Sequence, residues 1–248
     1  MEYKNEVIKL SHTKLDLDRI VVIGRSYDEY VDMFKLSDKE LAGKKILDCP
    51  AGACSFTAIA NSKGFNNTAA DIAYDHSEDD LYHKGLKDIQ HAVEQMKAAK
   101  NNYVWNYFDD IGALHKHRLK ALTDSTADRK KFPDRYIPAT LPSLPFCDNE
   151  FDVILSAHFL FMYDDRLDET FHFQTIEEFL RVARQEVRIF PLVDLKGKRS
   201  IYLDKVIKDL KNKGFTLKEV NVNYEFQENA NTMLVIKKNE HAKSSMTY

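Results

Sequence analysis

The chain has 248 residues, 44% of them hydrophobic, and sets 36 Lys plus Arg against 39 Asp plus Glu for a formal net charge of -3. That length can bury a sizeable core, and the near balance of charge gives no reason to expect nucleic acid or an anionic membrane surface as a partner. Three cysteines, Cys49, Cys54 and Cys147, form no CxxC pair, and no apolar run reaches the length of a membrane span, which predicts reduced thiols in a cytoplasmic protein that makes no membrane contact.

The first twenty residues mix charges and carry no secretory pattern. From Asp28 to Leu36, the residues Tyr30, Val31, Phe34 and Leu36 read as a short helix, and Ser37 with Glu40 three residues later has the form of a capping box. Residues 1–43 are therefore expected to be a helical lead-in. KKILD then predicts a short buried strand, and after a small-residue loop SFTAIANSKG has helical spacing ending at Gly64. NNTAADIAYD predicts a second strand whose polar end carries Asp71 and Asp75. From about 76 to 134 the alternation breaks: two helical periods follow each other with no strand signal, which predicts a helical insertion serving as lid and substrate wall.

Alternation resumes with RYIPATLPSLPF as a third strand and FDVILSAHFLFMY as a fourth, running into a loop. A helix from Glu169 to Arg184 places Phe171, Ile176, Phe179, Leu180 and Ala183 on its apolar side. EVRIFPLV is a fifth strand, IYLDKVIKDLKNKGF an amphipathic helix closed by Gly214, TLKEVNVNYEF a sixth strand and NTMLVIKK a seventh. Too few residues separate the last two for a helix, so they are expected to pair antiparallel, while the other units favour a parallel sheet within a single α/β domain.

In such a sheet ligands bind beyond the carboxyl ends of the strands, and the loop after the first strand lies there. Within Lys44–Ala60, Gly52 is free to take positive φ, and Asp48 stands where it can accept hydrogen bonds or face a cation. Asp71, at the end of the second strand, is placed to accept both hydroxyls of a ribose.

These residues resemble those of the Rossmann-like (class I) S-adenosylmethionine-dependent methyltransferases. ILDCPAGACSF stands where that family has D-x-G-x-G-x-G, AADIAYD where its ribose acid ends the second strand, and LPFCDNEFD resembles its LPF-x-D-x-x-F-D stretch. The resemblance implies a seven-stranded, mostly parallel sheet of order 3-2-1-4-5-7-6 with an antiparallel last strand. It also implies S-adenosyl-L-methionine as cofactor and methyl transfer to an oxygen or nitrogen of a small-molecule acceptor. GRSYDEYVDMFKLSDKELAGKKILDC further resembles a bacterial subgroup of these enzymes with substrates not assigned. The cofactor residues implied are Arg25 for the carboxylate, Asp48, Ala51 and Gly52 in the loop, Asp71 and Ile72, the Thr140–Leu141 turn, and Ser156, with Tyr30 closing over the carboxylate end.

Three departures stand out: Pro50 and Cys54 replace the outer glycines, Thr140 replaces an acid, and ARQEVRIF lacks a Pro-Gly-Gly turn. His158, at the end of the fourth strand, is the candidate base for an acceptor hydroxyl or amine, ahead of Tyr163 and Asp164. The segment lacks the Asn/Asp-Pro-Pro-aromatic tetrad used on exocyclic nitrogens of nucleic acid. Trp105, Tyr103, Tyr107 and Phe108 form an aromatic wall or anchor the insertion. No metal is expected: His76, His83 and His91, with Asp80 and Glu94 nearby, lack the i, i+4 His pair of helical zinc sites. HKHRLK and the RKK run Arg129–Lys131 are the basic clusters of the insertion, and acids of the same stretch offset them. The alternatives are methylation of RNA or protein, binding of S-adenosylmethionine or S-adenosylhomocysteine without turnover, and an NAD-dependent oxidoreductase, which the missing G-x-G-x-x-G disfavours. The sequence leaves the oligomeric state open.

Overall fold

The computed structural model describes residues 23–98 and 103–238. Seven strands form one sheet in the order β3-β2-β1-β4-β5-β7-β6: β1 (Lys45–Asp48), β2 (Asn66–Asp71), β3 (Tyr136–Pro138), β4 (Phe151–Ala157), β5 (Ala183–Phe190), β6 (Thr216–Asn221) and β7 (Thr232–Lys237). The pairs among β1 to β5 are parallel, and β7 runs antiparallel to both β5 and β6, so the expected order and hairpin are both present. β4 is central and buried at all seven positions, which is why its sequence from Val153 to Ala157 is a continuous small and apolar run rather than an alternating one.

The sheet is flanked by α1 (Tyr27–Phe34), α2 (Asp38–Leu41), α3 (Phe56–Ser62), α4 (Glu78–Ala98), α5 (Ile111–Lys131), α6 (Glu169–Val182) and α7 (Leu203–Asn212). Ser37 caps α2 as expected, its hydroxyl accepting from the Glu40 N–H. A full capping box also starts α1, where Ser26 and Glu29 exchange bonds. That helix stops at Phe34 rather than Leu36 because Lys35 takes the left-handed conformation, φ 47°. Two core clusters lie on the two faces of the central strands, one around Tyr30, Phe56 and Phe190, the other around Ile154, Phe179 and Leu234.

Several boundaries differ from expectation. β2 ends at Asp71, whose carboxylate caps a 3-10 turn over Ile72–Asp75, so Asp75 stands on that turn and not at a strand end. β5 begins at Ala183, directly from α6, with no turn between, which explains why no Pro-Gly-Gly is needed there. α4 and α5 fill the connection from β2 to β3, and α5 packs against both α3 and α4. LPFCDNEFD is a structural clamp: Arg181 on α6 donates to the Leu144 and Phe146 carbonyls and to the Asp148 and Glu178 carboxylates, while Phe146 packs edge-on to Phe151. Among the described residues no helix is long and apolar enough to cross a membrane.

Candidate functional site

A cavity of about 440 Å³ opens beyond the carboxyl ends of β1, β2 and β4. Its wall includes Arg25, Ala51, Gly52, Asp71, Ile72, Thr140, Leu141 and His158 from the sequence reading. Ile72 is half exposed at its edge. Thr140 and Leu141 lie in a turn closed by the Ser143 N–H on the Thr140 carbonyl.

The loop after β1 is fastened almost entirely to protein. The Ala51 N–H donates to the Ala70 carbonyl, Cys54 to Ala51, Ser55 to the Arg25 carbonyl, and Gly52 to Oδ2 of Asp71 at 2.8 Å. Gly52 makes its turn at φ +53°, the conformation expected of it. Gly24 is pressed onto the same loop: a Cβ there would stand 2.0 Å from the Ala53 carbonyl oxygen, so no side chain fits. The Arg25 N–H donates to the Cys54 sulfur at 3.2 Å, which accounts for one of the missing glycines, because the thiol holds the incoming segment.

Asp71 is held from both sides, with Gly52 donating to one oxygen and Ala73 to the other, each at 2.8 Å. A carboxylate has about four acceptor positions, so each oxygen keeps one for a ligand hydroxyl. Burial raises its pKa, and the two backbone N–H groups and Arg129 oppose that rise.

Three residues expected at the cofactor do not reach the cavity. Asp48 is fully buried behind the wall, accepting from the Tyr30 hydroxyl at 2.9 Å, with its second oxygen without a hydrogen-bond partner. Burial pushes that carboxyl well above the usual range, against the Tyr30 hydrogen bond, and the Asp71 charge adds to the rise. Buried behind the wall and bonded to Tyr30, it is not a counter-ion facing the ligand. Ser156 is also fully buried, its hydroxyl unpartnered, and Tyr30 stacks on Phe56 at 4.7 Å in the core instead of closing over the cavity.

On the β4 side stands a buried ionic cluster. Glu29, with no exposed surface, accepts from Arg118 at 2.5 and 2.8 Å, from the Tyr224 hydroxyl at 2.8 Å and from the Ser26 N–H at 2.8 Å. The Arg25 Nε lies 4.0 Å away. Burial alone would raise the Glu29 carboxyl, but the charge and hydrogen bonds of Arg118, with Arg25 and Ser26, hold it at about 2. Arg25 donates to the Ile23 carbonyl, and its buried Nε has no hydrogen-bond partner.

His158 lies on the cavity wall beside this cluster, its backbone left-handed at φ 52° and its N–H donating to the Phe190 carbonyl. Its Nδ1 is buried without a partner. Burial first, then the charges of Arg25 and Arg118, push its pKa well below the ordinary value. That direction weakens the imidazole as a proton acceptor, which argues against the general-base role expected of it.

Sequence reading missed Glu29, Arg118 and Tyr224. The Ser26-x-x-Glu29 pattern was a visible signal, but it announces a cap and not a hub. Tyr163 lines the cavity, while Asp164 accepts from the Ile201 N–H outside it. From the insertion, Ala92, Gln95, Met96 and Tyr103 line the wall. Tyr103 stacks on Phe226 at 4.9 Å, while Trp105, Tyr107 and Phe108 pack on Phe226 and Tyr224 and so anchor the insertion to the segment between β6 and β7. His91 meets Gln95 on the surface and His83 packs on Tyr82. No group of three or more His, Cys, Asp or Glu among the described residues is placed to hold a metal.

No family model matches the sequence. Among solved structures, the chain is similar to magnesium protoporphyrin IX methyltransferase from Synechocystis PCC 6803 with bound S-adenosylmethionine, at 13% identity and TM-score 0.46, covering 86% of this chain and 78% of that one. It is also similar to a S-adenosylmethionine-dependent methyltransferase from Aquifex aeolicus, at 16% identity and TM-score 0.44, covering 84% and 90%. In sequence it is 37% identical over 225 residues to the uncharacterized protein MJ0045 of Methanocaldococcus jannaschii, covering 90% of this chain and 99% of that protein. That relative is archaeal, so the bacterial subgroup suggested by the N-terminal stretch is not supported. With so much of both chains aligned at this identity, the protein belongs to the same family as MJ0045.

Proposed function

We propose that the protein binds S-adenosyl-L-methionine and transfers its methyl group to a small-molecule acceptor. One observation carries the reading: Asp71 ends β2 with one acceptor position on each oxygen open to a cavity whose floor is the β1 loop. A cofactor ribose fits that pair of acceptors. The rival dinucleotide reading needs free amides for a pyrophosphate, and here the Ala51, Gly52, Cys54 and Ser55 amides are already bonded to protein. A cofactor with a carboxylate and no phosphate makes no such demand, and Arg25 offers that carboxylate a guanidinium.

When bound, the cofactor supplies an activated methyl. The protein's part is then placement: Thr140 and Leu141 border the base, Asp71 fixes the ribose, Arg25 fixes the carboxylate, and His158 stands by the acceptor. The end of α4 lies over the cavity as part of a lid. Free Cys49, Cys54 and Cys147 fit a reducing cytoplasm.

Isothermal titration calorimetry with S-adenosylmethionine, S-adenosylhomocysteine and NAD tests this. The first two should bind in the micromolar range, and Asp71→Ala should weaken them at least tenfold. Binding of NAD alone, or equal binding by the variant, would remove the reading.

A further inference from the structure

We propose that the acceptor is an anionic, ring-bearing small molecule that is methylated on an ionised oxygen; this rests on the methyltransferase reading above. Among the described residues lining the cavity, Asp71 is the carboxylate, and it stands at the end of β2. His158 follows β4, two strands away across β1, or roughly 10 Å at the usual spacing of paired strands. The charges at the His158 side are those of Arg25 and Arg118 against the single carboxylate of Glu29. Bound S-adenosylmethionine adds a sulfonium and an ammonium against one carboxylate. The acceptor therefore meets an excess of positive charge.

An ammonium acceptor would meet those cations with no carboxylate at that side left to pair it. An oxyanion meets the opposite situation. In the step itself, an oxygen lone pair forms the O–CH3 bond while the S–CH3 bond breaks and its electron pair stays on sulfur. Sulfonium and oxyanion become a neutral thioether and a neutral ether or ester, and no proton moves. Such a charge-cancelling displacement gains from a desolvated site.

The ring follows from the wall. Tyr103 and Phe226 are stacked, 4.9 Å apart and 23° between planes, and Met96, Phe159 and Met162 add further apolar and thioether surface to the cavity wall.

The test uses the full chain saturated with S-adenosylhomocysteine and three probes sharing one ring: 2-naphthoate, 2-naphthol and 2-naphthylmethylamine, titrated by fluorescence. Naphthoate should bind at least tenfold tighter than the amine, with naphthol between them. Gln95→Glu, at the exposed rim of the cavity where α4 borders it, adds a carboxylate there and should narrow that ratio. Equal affinities, preference for the amine, or no uptake of any probe by protein that does bind S-adenosylhomocysteine would overturn the acceptor class alone. Failure to bind S-adenosylhomocysteine would instead remove the methyltransferase reading, and this proposal with it.

Discussion

Glu29→Gln is the perturbation whose cost the structure fixes best. The native carboxylate is fully buried and titrates at about 2 in place of its ordinary 4.5. A depressed acid contributes stability that is complete above its unfolded pKa and disappears as pH falls through the folded one. At 1.36 kcal/mol per unit, the shift is worth about 3 kcal/mol at neutral pH, lost between roughly pH 4.5 and 2. Independently, breaking a buried ion pair by removing one partner costs about 3–5 kcal/mol, so the two routes agree. The amide keeps an acceptor for Tyr224, which confines the loss to charge. Urea unfolding of wild type and variant, followed by Trp105 fluorescence, should show a gap of about 3 kcal/mol that is constant from pH 7 to about 5 and closes below it. The double variant Glu29→Gln with Arg118→Met should lose less than the two single variants together, because the surviving charge is no longer stranded. A gap under about 1 kcal/mol at neutral pH, or one that does not close in acid, would refute the reasoning.

Two further outcomes follow from the same region. His158 should show no imidazole titration by NMR between about pH 5.5 and 8, since burial and the two arginines keep it neutral, and His158→Ala should lower turnover while leaving S-adenosylhomocysteine affinity within about twofold; an inflection near its ordinary pKa would restore the general base. Tyr30→Phe removes the donor to Asp48, leaving a fully buried acid with neither oxygen partnered, and should cost about 1–3 kcal/mol in thermal or urea unfolding without changing ligand affinity.

The seven strands were legible because each strand-loop-helix unit writes its own period, and the terminal hairpin because too few residues separate β6 from β7 for a crossover; the order of the strands came only with the family resemblance. Gly52 and Asp71 were legible for the same reason: a loop's small residue and a strand's terminal acid are local features. Asp48 and Ser156 were not placed correctly because β1 and β4 are buried on both faces, so their sequences do not show which side a given residue takes. The ionic cluster was illegible for a different reason. Glu29 and Arg118 are 89 positions apart, and Glu29 and Tyr224 are 195 apart, so no window of sequence contains the charge balance that sets His158. The fourth-strand histidine looked like a base because its two arginines come from elsewhere in the chain.

The lost glycines and the arginine beside the cavity are two sides of one arrangement. A glycine-rich loop serves a phosphate by leaving its amides free. In this chain the Ser55 amide and the Cys54 thiol are spent on the backbone of Arg25, and Gly24 lets that segment lie flat on Ala53. The loop therefore gives up amide donors and secures a guanidinium in their place. Amides in a tight turn suit the tetrahedral oxygens of a phosphate, while a planar guanidinium suits a carboxylate. The Cys54 substitution, which weighs against a dinucleotide, thus helps to hold the group that suits a carboxylate-bearing ligand, and it counts for the proposed ligand rather than against it.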